Sequence, residues 1–299
     1  MLSIEKDFNQ LLFADNEGQK SICADEQEIL ARVKELLYSP ESLSEHVSML
    51  PSILSRLINT IDNPEIDFIE VVTDLCEQPD VAREILAIAN SDMYRCKGRR
   101  EITSINQATT LIGLVSVAYI ASTVMMSHAT RTKSSYFQSF SAITQKHALQ
   151  TAMACRDMAH QHKINPFSCH LLGLVNVVGI VYCFNCLSGE IGAKLDGKHP
   201  SAELYNQVCL RWASELTIEI IKEWSLPNSM IEGIEQFAAG DVDNMDELAR
   251  MLRLADLISK VSILYSNDKI KQEQALDCLA DQGVPRDYVE SFLVVAEEL

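Results

Sequence analysis

Residues 167–188 read FSCHLLGLVNVVGIVYCFNCLS, without a single Asp, Glu, Lys or Arg. A run of this length is long enough to cross a bilayer as a helix, so its reading decides the class of the protein. His170, Asn176 and Asn185 interrupt it, and its flanks carry no one-sided excess of bases. It therefore predicts a buried helix over Pro166–Leu187. A second uncharged run, Ile102–Thr130, opens with Thr103, Ser104, Asn106 and Gln107 and reads the same way. No membrane partner is expected.

Outward from these runs, apolar residues recur at helical spacing almost everywhere. Ile29, Val33, Leu36 and Leu37 share one face, as do Leu54, Leu57, Ile58 and Ile61. Pro51, Pro64 and Pro79 can each open a helix, where the missing N–H costs nothing. Ser104 is placed to cap a helix to about Ile112, and Gly113 marks a joint before a second helix to about Met126. Further helices are predicted at Ser139–His160, Ser214–Trp224, Asn228–Phe237, Asp246–Tyr265, Lys271–Asp281 and Asp287–Glu298. No alternating strand pattern is found. The 11 Gly and 8 Pro are few for 299 residues, which argues against turn-rich β folds. The predicted class is all-α.

Acids exceed bases by 17, which disfavours nucleic acid and anionic membranes as partners. The excess is concentrated in residues 1–49, at −6, and 241–299, at −7. These acidic flanks are candidate regulatory or docking elements. Residues 102–156, by contrast, contain no acid. The N-terminus lacks the apolar core of a signal peptide, and nine cysteines is an odd number for a disulfide framework. Both point to reduced thiols in the cytoplasm.

Cys183 and Cys186 form a C-x-x-C, but near the end of an apolar helix, where the dipole works against a thiolate, rather than at a helix N-terminus where it would activate one. Buried structural thiols are the plainer reading, and a thiol-based sensor the sharper one. His160, His162, Cys169 and His170 could suggest a metal cluster, yet positions two apart on a helix point in different directions. The cluster Arg95, Lys97, Arg99 and Arg100 is a candidate contact for an anion or an acidic partner, set against the simpler reading of a solvated loop. Gly173 and Gly179 do not form a phosphate-binding loop, since no Lys-Ser/Thr follows.

Taken in order, several short motifs resemble a known family. They are Leu50-Pro51-Ser52-Ile53-Leu54, Leu86-Ala87-Ile88-Ala89-Asn90-Ser91, Ile102 with Ser104-Ile105 and Ala108, Leu111-Ile112-Gly113-Leu114, and Trp224-Ser225-Leu226-Pro227. Their order and spacing over about residues 48–260 resemble the HDOD domain, the HD-related output domain of bacterial signalling proteins. The resemblance implies a two-lobed helical bundle whose second lobe is related to HD-type metal phosphohydrolases. The expected organisation is an N-terminal helical extension over 1–47 and an HDOD domain over 48–240, with lobes at about 48–130 and 137–240. C-terminal helices over 241–299 would pack on the HD-like lobe.

The same resemblance places the metal-ligand positions. His147 matches the first ligand and Asp256 the last, while Asn176 and Val177 stand where the His-Asp pair would be. Ala213 and Phe237-Ala238 occupy further positions where many relatives keep histidines. Valine has no donor atom, and an amide is a poor replacement for imidazole. The expectation is a degenerate site with no bound metal, no cofactor and no catalytic residue. On the plain reading His147 is a packed histidine bonded to a neighbour, and Asp256 an i, i+4 partner of Lys260.

The function expected is a non-catalytic signal-transduction module that binds signalling proteins in trans. A small-molecule or nucleotide pocket between the lobes, where the ancestral metal site stood, is expected as well. The alternative is a divergent metal-dependent phosphohydrolase acting on a nucleotide or phosphoester.

Overall fold

The computed structural model describes residues 4–14, 21–39, 52–60, 65, 67–91, 94, 101–132, 134, 136–194 and 199–297. Among these residues there are helices and no strands. The basic cluster at Arg95, Lys97, Arg99 and Arg100 lies outside the described residues, as do Leu50 and Pro51.

The first lobe is built from α3 (Ser52–Asn59), α4 (Phe68–Cys76), α5 (Pro79–Ala89), α6 (Ile105–Ile112) and α7 (Leu114–Ala129). Asp67 caps α4, its Oδ1 accepting from Ile69 N at 2.8 Å. Gly113 has φ +91°, a conformation that suits glycine, and α6 and α7 meet there at 110°. Asn90 ties the end of α5 to the approach to α6. Its Nδ2 donates to Leu86 O and Ile102 O, both at 2.9 Å, and its Oδ1 accepts from Ile102 N at 2.8 Å. A side-chain amide thus replaces backbone pairing where the chain crosses between helices.

The second lobe is centred on α8 (Ser139–His162), with α9 (Pro166–Val175), α10 (Val178–Lys194), α11 (Ala202–Glu223), α12 (Asn228–Ala239) and α13 (Glu247–Ser266) around it. The last helices, α14 (Gln272–Ala280) and α15 (Arg286–Glu297), pack against α13. α1 (Ile4–Leu12) lies on α13 and α8, and α2 (Ala24–Leu37) on α10 and α11. Buried Glu26 anchors α2, its two oxygens accepting from Ser201 N at 2.6 Å and Ser201 Oγ at 2.9 Å.

Two expected helices differ. The run over Pro166–Leu187 is two helices, interrupted at Asn176 and Val177. Close approaches on either side account for this. A Cβ on Gly173 would overlap Ala152 of α8, and one on Gly179 would overlap the Ala213 carbonyl of α11. The run packs closely on two different neighbours, α8 before the interruption and α11 after it. The helix expected from Ser214 begins instead at Ala202, where Ser201 Oγ accepts from Leu204 N at 3.3 Å. Pro166–Lys194 is apolar and long enough to cross a membrane, but 89% of its most apolar window is buried within the protein.

Candidate functional site

α8, α13 and the α9–α10 break bring the positions expected from the family resemblance together. His147 Nε2 lies 3.2 Å from Asp256 Oδ1, and Asn176 Nδ2 lies 3.5 Å from the same oxygen. Ala213, Phe237 and Ala238 line the same cavity of about 250 Å³ as His147, Asn176, Val177 and Asp256. The seven positions, spread over 110 residues of sequence, therefore share one place in the fold.

Hydrogen bonding locks the His147 ring. The Asp256 carboxylate only accepts, so Nε2 carries the proton facing it. Nδ1 lies 2.8 Å from Ser259 Oγ, one turn from Asp256 along α13, and Ser259 Oγ lies 3.2 Å from Gln150 Oε1. Phe8 of α1 covers the imidazole, with ring centroids 5.0 Å apart.

Lys260 supplies the positive charge. Its Nζ is 2.8 Å from Asp256 Oδ2 and 2.6 Å from Glu5 Oε1. Burial opposes the charge on Lys260, but Asp256 and Glu5 outweigh it and hold the ammonium pKa above the ordinary lysine value. Burial likewise opposes the charge on Asp256. The Lys260 ammonium and the His147 N–H prevail and hold the carboxyl well below the usual carboxylate range.

This donor set does not fit a divalent metal ion. Such ions take several imidazole, thiolate or carboxylate donors, and among the described residues no three His, Cys, Asp or Glu side chains converge to hold one. The carboxylate that remains is already neutralised. At an effective dielectric constant near 20, a divalent ion about 4 Å from the Lys260 ammonium would meet repulsion on the order of 8 kcal/mol.

Among the described residues, the cavity is lined by α1 and the second lobe, with none from the first lobe. The cavity that holds these positions therefore does not stand between the lobes. A different cavity does, lined by Thr123, Met126 and Thr130 of the α7 region and by Ala148, Leu149 and Leu174 of the second lobe. Beside it, His170 of α9 meets α7, with Nε2 3.2 Å from Thr123 Oγ1 and its ring against Tyr119. Burial, with a smaller effect from Arg156, lowers the His170 pKa to about 3, so the ring is neutral at pH 7.

His162 is separate from His170 and pairs with Glu247 of α13. Cys183 and Cys186 are buried in the first half of α10, earlier in a helix than expected because α10 restarts at Val178. Burial, reinforced by Cys209, nonetheless pushes the Cys183 thiol well above its ordinary value. Sequence reasoning missed Glu5 and Phe8. Their i, i+3 spacing on an amphipathic N-terminal helix was the available signal, but nothing local pointed to α13.

Three crystal structures share this fold. A protein of Shewanella amazonensis SB2B, provisionally named a phosphohydrolase, superposes with TM-score 0.58 at 17% identity, over 86% of this chain and 94% of that one. A Marinobacter aquaeolei VT8 protein, provisionally named a signal transduction protein, gives 0.53 at 14%, over 93% and 67%. A Geobacter sulfurreducens HDOD domain protein of unknown function gives 0.52 at 19%, over 76% and 77%. Among curated proteins, none matches. The HDOD domain model matches residues 47–239, a span that takes in the Asn90 clamp, the Gly113 joint and all but one of the seven positions gathered at the cavity, and on that match the chain belongs to the HDOD family.

Proposed function

We propose that this chain is a non-catalytic regulatory module of the cytoplasm that acts by binding, with signalling proteins as its partners in trans. One observation carries the reading: Lys260 neutralises Asp256 at 2.8 Å in the place where HD chemistry needs a metal ion. Asn176 and Val177, at the centre of the set, supply neither an imidazole nor a carboxylate. The lobe keeps the shape of a phosphohydrolase without the donors that would lower the pKa of a bound water.

The test is elemental analysis of protein purified without added metal, with a divalent-ion titration followed by thermal melting and a screen of phosphoester substrates. The expected result is no stoichiometric metal, no melting shift at micromolar ion and no hydrolysis. A tightly bound ion would raise the melting temperature by mass action. That shift, together with hydrolysis abolished in Asp256→Asn, would establish instead the divergent phosphohydrolase.

A further inference from the structure

The cavity beneath α1 is lined by an ammonium, that of Lys260. Lys260 has three N–H donors, of which one meets Asp256 Oδ2 and another meets Glu5 Oε1. Glu5 is itself 65% exposed, so the second acceptor is a side chain at the rim and not one in the packed interior. Thr144 is buried, lines the cavity, and its Oγ1 has no hydrogen-bond partner among the described residues. Buried polar atoms are paired as a rule, so this hydroxyl is an unmet donor within the wall, closed off from the cavity itself. The remaining walls combine Phe8 and Phe237 with Asn176. At about 250 Å³ the space falls just under the roughly 300–1,000 Å³ typical of sites for drug-sized ligands. The occupant must be small.

Taking the reading of Lys260 as the resident cation as its basis, we propose that this cavity is a binding site for a small carboxylate. The ligand's carboxylate takes the place of the Glu5 carboxylate on Lys260. Glu5 is then an internal competitor, and occupancy of the site is coupled to the hold that α13 has on α1.

The experiment titrates the full chain, in EDTA, with succinate, with its uncharged analogue succinamide and with inorganic phosphate, followed by calorimetry and ligand-observed NMR. Succinate is expected to bind and succinamide not. Glu5→Gln is expected to tighten succinate about tenfold by removing the competitor. The double variant Lys260→Met with Asp256→Asn leaves no bare buried charge and is expected to lose binding. An unchanged or weaker affinity in Glu5→Gln overturns the proposal, as does binding of phosphate without succinate. Failure of every anion with metal-free protein overturns this inference alone. Binding that appears only when a divalent ion replaces EDTA overturns the proposed function with it.

Discussion

Glu5 and Lys260 are 255 positions apart in the chain and 2.6 Å apart in the fold. Their contact lays the first helix over the cavity that holds His147 and Asp256. The two partners differ in burial, with side-chain exposures of 65% and 12%. Loss of Glu5 is therefore expected to cost little, under about 1 kcal/mol as for other exposed pairs.

Loss of Lys260 is a different matter. Lys260→Met leaves the Asp256 carboxylate buried beside His147 and Asn176 without its ammonium. The expected cost is about 3–5 kcal/mol, as when one member of a buried ion pair is removed. Adding Asp256→Asn should recover most of it. Urea unfolding of the two variants measures the difference, and equal losses in both would show that the pair is not the source.

His170 makes stability depend on pH. Its folded pKa, about 3, lies below the ordinary 6.5. Between these values the unfolded chain binds the extra proton, so stability rises with pH. The contribution is fully present above about pH 6.5 and is lost as pH falls toward 3, at up to about 1.4 kcal/mol per unit. His170→Leu should flatten this limb in urea midpoints taken from pH 4 to 7. Thr123 Oγ1 keeps a partner in that variant, since it also donates to Tyr119 O at 2.9 Å.

Two glycines on α10 should respond in opposite directions to alanine. Gly179 faces the Ala213 carbonyl, and its N–H meets Thr217 Oγ1 at 3.1 Å. Gly179→Ala forces α10 and α11 apart and should cost about 1–3 kcal/mol or more. Gly192 has open space where a Cβ would go. Gly192→Ala should stabilise by about 0.5–1 kcal/mol through helix propensity alone. Thermal melts of the pair separate steric fit from propensity.

Asn90 is predicted to govern the join between α5 and α6. Asn90→Ala leaves the N–H of buried Ile102 without the Asn90 acceptor and should cost about 1–3 kcal/mol. Asn90→Asp should be no better, because Nδ2 donates to two carbonyls that a carboxylate would repel. Hydrogen exchange at the Ile102 amide reads the loss directly, and an amide still protected in both variants would contradict it.

The helical class was legible because amphipathic spacing is local: α8, α12 and α13 lie within two or three residues of their expected ends. The break at Asn176 was not legible, because its causes are the backbones of α8 and α11 at Gly173 and Gly179. The start of α11 at Ala202 had a local signal in Ser201, a good N-cap residue that is also needed by Glu26, 175 positions away.

From sequence, the positions 147, 176, 177 and 256 could be named together because the family resemblance aligns them, and the fold brings all four to one cavity. The Asp256–Lys260 pair was equally readable, since i, i+4 neighbours on a helix meet whatever the surrounding fold. Tertiary structure alone decided that Lys260 is buried, that Glu5 shares it and that Phe8 covers His147. It also decided that the cavity belongs to the second lobe and not to the space between lobes. These contacts join α1 to α13 across almost the whole chain. Periodicity shows that a helix has an apolar face, but only packing determines which face it meets.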